Sequence, residues 1–179
     1  MELVTTPALD RPDLLAAPTL AAVRDLAARD PLTATRVRVA EIDPDLADTA
    51  ALTEAYGLDL HASANCVLVV GRRAGEERLA ACVVRATTRA EVNTVVRRLL
   101  DVRKATFLPT ERAVELSGME YGGITPVGLP AGWRVLADAD VLADDAPVIV
   151  GSGVRRSKIL LPGRDLRAFG VEAVEGLGA

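Results

Sequence analysis

The thirteen residues Gly118-Met-Glu-Tyr-Gly-Gly-Ile-Thr-Pro-Val-Gly-Leu-Pro130 hold four glycines and two prolines. Helix and strand interiors reject that density of both residues. The chain must form a loop here, between a predicted helix and a run of short predicted strands. Glycine reaches backbone angles closed to other residues and lets another molecule approach the main chain closely. Pro126 fixes its own φ and pushes Thr125 towards an extended conformation. Two uses stay open on physics alone. The loop is either a rigid wall of bare N–H and C=O groups for a small polar ligand, or a tight connection joining helix to strand.

The rest of the chain sets the class. Its 179 residues suit one domain, and half of them are hydrophobic, enough for a core without disulfide or metal staples. A net charge of −4 without a long basic run argues against broad electrostatic binding to duplex DNA, while leaving room for a local basic contact with one RNA end. The five aromatics (Tyr56, Phe107, Tyr121, Trp133 and Phe169) are too few for an extended base-stacking surface. Cys66 and Cys82 lie in apolar runs and read as reduced core residues. With a single histidine, they offer no zinc spacing, and no metal or cofactor is expected. The N-terminal sequence has no basic start and no apolar run, and no stretch is long enough to span a bilayer, so a cytoplasmic location is expected.

Taken in order, residues 1–15 read as an irregular arm, and Leu20, Val23, Leu26 and Ala27 mark a helix ended by Asp30-Pro31. Residues 1–33 are accordingly an N-terminal arm and helix, before a domain over 34–179. Thr35–Ile42 alternates as a strand with one wet face. Residues 45–56 form a helix stopped by Gly57. Residues 61–70 and 79–85 are strands of an antiparallel hairpin around Gly75. Thr88 and Glu91 suggest a capping box for a helix reaching Leu100. A short strand over 104–108 and a helix from Thr110 to Leu116 lead into the Gly/Pro loop. Short strands follow at 133–137, 147–150, 159–161 and 171–174, with a helical turn at 164–169. The expected fold is α/β, a single domain around a mixed, strongly curved, partly barrel-like sheet flanked by helices.

This order, together with Gly118-Met-Glu-Tyr-Gly-Gly-Ile-Thr-Pro126, Val148-Ile-Val-Gly-Ser-Gly153 and Leu161-Pro-Gly-Arg-Asp-Leu166, resembles the YbaK/prolyl-tRNA deacylase family over residues 34–176. The resemblance implies hydrolysis of the ester between a wrong amino acid and the terminal ribose of a tRNA, with cysteine or alanine on a proline tRNA as the implied substrates. It places Gly122, Gly123, Ile124, Thr125 and Pro126 along the aminoacyl site, with Gly151, Ser152 and Gly153 as the facing wall and Tyr121 and Arg85 as further substrate contacts. The implied partner is the acceptor end of a tRNA carrying an amino acid, with no DNA and no membrane. Ester hydrolysis develops negative charge on the carbonyl oxygen, which preorganised N–H donors stabilise.

The family also carries a lysine at the start of the hairpin strand, where this chain has Asn65-Cys66-Val67-Leu68. Asparagine hydrogen-bonds but brings no charge. Arg72, Arg85, Arg155, Arg156 and Lys158 are the cations available to supply it from another direction. The alternative is a binding module that kept the pocket without turnover. His61 reads as a turn residue or an acid–base group, and Asp138, Asp140, Asp144 and Asp145 as a solvated acidic turn.

Overall fold

The long hairpin is the frame of the molecule. β3 (Ala64–Arg73) and β4 (Glu76–Arg85) pair over their whole length, from Ala64↔Arg85 to Arg73↔Glu76. The two residues between them, Ala74 and Gly75, both have positive φ, as a tight two-residue hairpin turn requires. The computed structural model describes residues 2–179.

The strands divide between two sheets. One has the order β5-β3-β4-β6-β9, with β5 (Ala105–Phe107), β6 (Arg134–Asp138) and β9 (Glu172–Val174). It is mixed: β3 pairs antiparallel with β4 and β5, whereas β4–β6 and β6–β9 are parallel. The other has the order β1-β2-β8-β7 and is wholly antiparallel, built from β1 (Thr5–Pro7), β2 (Arg38–Glu41), β7 (Pro147–Gly151) and β8 (Ser157–Pro162). The expected single sheet is therefore two sheets, joined through the isolated parallel bridge Ser63↔Ile149. Hydrophobic period reveals strands but not which strands share a ladder.

Between the sheets lies the main core, which includes Val37, Val39, Val83, Val148, Val150, Ile159 and Leu161. Helix α1 (Ala17–Arg29) adds Val23 and Leu26, both fully buried. Ala8, Leu14, Leu15, Val23 and Leu26 thus share the core of the remainder, and β1 pairs with β2. A second core under the hairpin's other face gathers Val69, Val84, Val96 and Leu136. A third, small one joins Ile42, Leu52 and Ile149.

Several local expectations change. Asp30-Pro31 ends α1 but opens α2 (Pro31–Thr35), because the Asp30 carboxylate accepts from Thr33 N–H at 3.1 Å and proline suits a first helical turn. β2 therefore begins at Arg38. The arm contains β1, whose pairing is long-range and leaves no periodic trace in three residues. The helix expected over 45–56 is a 3₁₀ turn (Pro44–Leu46) followed by α3 (Thr49–Tyr56), capped by Asp48 and ended by a left-handed Gly57. The Thr88–Glu91 capping box does not form. Thr88 donates to Arg85 O, Glu91 accepts from Thr94, and a π-turn (Val92–Val96) precedes the single turn α4 (Arg97–Leu99). α5 (Thr110–Ser117) follows as expected, but its N-cap is Pro109 and Gly118 closes it in the left-handed region. The acidic segment 138–145 contains a helix, α6 (Ala139–Ala143), capped by Asp138.

Candidate functional site

Alternation along the β7–β8 pair decides what faces the space beside the hairpin. Val148, Val150, Ile159 and Leu161 enter the main core. Ile149 and Leu160 stand opposite one another and pack on the third core beneath α3. Gly151 and Lys158, the next same-face pair, are also directly opposed. A cleft of about 540 Å³ opens there. It is bounded by α3 and the turn before it (Ala47, Asp48, Thr49), the start of β3 (Ser63 to Val67), the Gly/Pro loop (Tyr121, Gly122, Ile124), and Gly151 with Lys158.

The loop is held by main-chain bonds to the turn after β7. Gly153 N–H donates to Gly123 O at 2.7 Å, and Glu120 N–H donates to Gly153 O at 2.8 Å. The Glu120 carboxylate accepts from Arg155 N–H at 2.7 Å. This contact explains the glycines. A Cβ on Gly151 would collide with the carbonyl oxygens of Gly123 and Ile124, and one on Gly123 would strike the Val154 backbone. Gly122 sits at φ +81°, a conformation unfavourable to other residues. The N–H groups of Gly122 and Ile124 take no partner among the described residues, and both residues line the cleft.

Asn65 is half-buried at the foot of β3, and its Oδ1 accepts from the Thr49 hydroxyl at 2.8 Å. That bond orients the amide and leaves its Nδ2 donors without a partner among the described residues. Ser63 is 3% exposed, and its hydroxyl has no hydrogen-bond partner among the described residues. Cys66 also lines the cleft, but burial pushes its thiol well above the ordinary value. It stays protonated near neutrality and is a poor nucleophile. Tyr121, 63% exposed, stands at the margin with its carbonyl held by Arg155.

The structure sorts the five cations. Arg72 pairs with Glu77 near the hairpin tip. Arg156 is tied to Asp13 and Glu41. Arg85 is buried and does not line the cleft; it bonds to His61 O, Asp140 O and Asp144. Ala146 N–H, and then Arg85, hold the Asp144 carboxyl below its usual range. Arg155 spans Tyr121 O and Pro44 O, bracing the loop against the turn before α3. Lys158 alone of the five lines the cleft, 7% exposed, with its Nζ donating to Ala47 O at 2.8 Å.

The remaining predicted residues support the walls from behind. Thr125 and Pro126 are buried; the Thr125 N–H meets the Met119 sulfur, and its hydroxyl accepts from Val127 N–H. The Ser152 hydroxyl shares a 2.7 Å hydrogen bond with Ser157. Gly153, at φ +88°, packs against Ala16. Sequence reasoning missed Thr49 and Ser63. The Asp48-Thr49 helix start was a readable signal for the first; for the second nothing marked a buried hydroxyl. His61 is exposed and does not line the cleft. Asp138 and Asp145 serve a helix cap and an ion pair with Arg164. A second hollow, of about 430 Å³ beside Leu99 and Trp133, contains none of the predicted site residues. No helix among the described residues is long and apolar enough to cross a membrane.

Comparison with known proteins bears on the fold and the family. A candidate trans-editing enzyme for prolyl tRNA synthetase superposes with a TM-score of 0.70 at 20% identity, covering 90% of this chain and 97% of its own. The hypothetical protein APE2540 superposes with a TM-score of 0.71 at 21% identity, covering 86% and 97%. At such identities the likeness is one of fold. No curated protein matches the sequence. The model of the aminoacyl-tRNA editing domain matches residues 43–169, more than half of the chain and the whole of the cleft described above. The chain belongs to the aminoacyl-tRNA editing domain family.

Proposed function

We propose that this protein is a trans-acting aminoacyl-tRNA deacylase, hydrolysing the ester that joins a wrong amino acid to the terminal ribose of a tRNA. One observation carries the reading: three distant segments, around Asn65, Gly122–Ile124 and Gly151, converge on one cleft with unpaired donors. Water adds to the ester carbonyl carbon, and the C=O π electrons move onto oxygen. The tetrahedral oxyanion collapses, the bond to the ribose oxygen breaks, and the proton lost by water is returned to that oxygen through solvent. The protein's part is to hold the carbonyl and stabilise the oxyanion, a task suited to the Gly122 and Ile124 N–H groups. Thr49 orients Asn65 as a neutral donor at the cleft wall.

The cleft lining includes the small residues Ala47, Ala50 and Ala64 beside Asn65, in keeping with cysteine or alanine esters of a proline tRNA as substrates. The test is deacylation of a panel of mischarged tRNAs by the native protein and by Asn65→Lys. Turnover by the native protein supports a working site built on asparagine. Activity confined to Asn65→Lys overturns the deacylase reading in favour of a binding module.

A further inference from the structure

Lys158 is a buried cation without an anion. Lysine is almost never this buried unless it is paired, and no carboxylate among the described residues lies within ion-pair distance of it. Its one hydrogen bond, to the neutral Ala47 carbonyl, uses one of three N–H donors. Strand alternation turns it towards the cleft, opposite a glycine that offers no side chain to cover it. Burying an ammonium ion on these terms is costly, and one hydrogen bond to a neutral carbonyl offsets only part of that cost.

The charged groups around the cleft leave Lys158 as its dominant cation. Burial lowers the Lys158 ammonium from its ordinary value, Asp48 opposes that shift, and Arg155 adds to it. Asp48 lines the exposed side of the cleft, Arg155 is occupied with Tyr121 O and Pro44 O, and the Cys66 thiol is uncharged. An incoming group with negative charge on oxygen would therefore meet one dominant, desolvated cation.

We propose that Lys158 is the catalytic cation of this cleft, its ammonium holding the ester carbonyl oxygen as negative charge develops there during deacylation. The assignment rests on the aminoacyl-ester reading. Lys158 keeps its proton throughout and serves as donor and charge. The competing account is purely structural, with Lys158 stapling β8 to the turn before α3 through Ala47. A structural staple predicts loss of fold on removal; a catalytic cation predicts loss of rate.

Two lysines make the experiment clean, because Lys104 is exposed and does not line the cleft. Single-turnover deacylation of the best mischarged tRNA is compared for native protein, Lys158→Met and Lys104→Met. The expected result is a rate about 100-fold lower for Lys158→Met, with KM changed little, thermal stability not lowered and Lys104→Met matching the native protein. In parallel, lysine side-chain NMR follows both residues as 3′-alanylamino-3′-deoxyadenosine, a non-hydrolysable amide of the aminoacyl end, is added. Lys158 should shift and Lys104 should not. A Lys158→Met rate within about threefold of native, or a Lys158 signal unmoved at saturation, overturns the assignment while deacylation by the native protein keeps the functional reading. Native protein that hydrolyses no mischarged tRNA ends the functional reading instead, and the NMR titration alone then decides whether Lys158 meets the ligand.

Discussion

Gly151 and Lys158 face each other across the β7–β8 ladder, and both line the cleft. Where a Cβ of residue 151 would stand, the Gly123 and Ile124 carbonyls pack against the strand. The lysine opposite faces the cleft with Ala47 O as its one hydrogen-bond partner among the described residues.

Gly151→Ala should be damaging out of proportion to one methyl group. The added carbon meets main-chain oxygens, which move only if the loop moves. Overpacking of this kind costs about 1–3 kcal/mol, so urea unfolding should show a loss of that size. Ligand affinity should fall further, because the Gly122–Ile124 wall is displaced.

Lys158→Met should raise stability by about 1–2 kcal/mol, since it replaces an unpaired buried charge by an apolar chain of similar length. A pH series separates this from packing. Burial holds Lys158 below its ordinary 10.5, so between its folded value and 10.5 the unfolded chain binds more protons than the folded one. Native stability should therefore rise with pH across that window, and this contribution should vanish in the methionine variant. A cleft that needs the ammonium should lose activity as pH rises through the same lowered value.

Ser63→Ala removes a buried hydroxyl that has no hydrogen-bond partner among the described residues. Such a group carries a desolvation penalty without return, so the variant should be as stable as native or more stable by about 1 kcal/mol. If the hydroxyl awaits a ligand, affinity for an aminoacyl-adenosine amide should fall several-fold, measured by calorimetry.

Arg85→Met should behave in the opposite way. Its guanidinium bonds to His61 O, Asp140 O and Asp144, and removal strands these acceptors. A loss of about 2–4 kcal/mol is expected, with deacylation per folded molecule unchanged, as suits a residue outside the cleft. Denaturation curves and active-site titration on the same sample check both halves.

The hairpin, the Gly/Pro loop and the Gly57 helix stop were legible in sequence because each rests on local chemistry: period two, turn residues, and a left-handed cap. β1 and the division into two sheets were not, because three-residue strands and ladder partners are chosen by long-range packing. α2 was missed because Asp30-Pro31, read as a stop, is equally a start once Asp30 caps Thr33. In the site, the glycines announced themselves, whereas Lys158 stood as one of five candidate cations with nothing local to separate it from the arginines. Its meaning depends on pairing with Gly151, seven residues away in sequence, and on the absence of a carboxylate partner.

The most direct measurement is the first-order rate of ester loss from mischarged tRNAs, correctly charged prolyl-tRNA included, under excess native protein. The account predicts that at least one small-residue ester is cleared about 100-fold faster than in buffer while prolyl-tRNA is spared. Rates equal to buffer across the panel would contradict it.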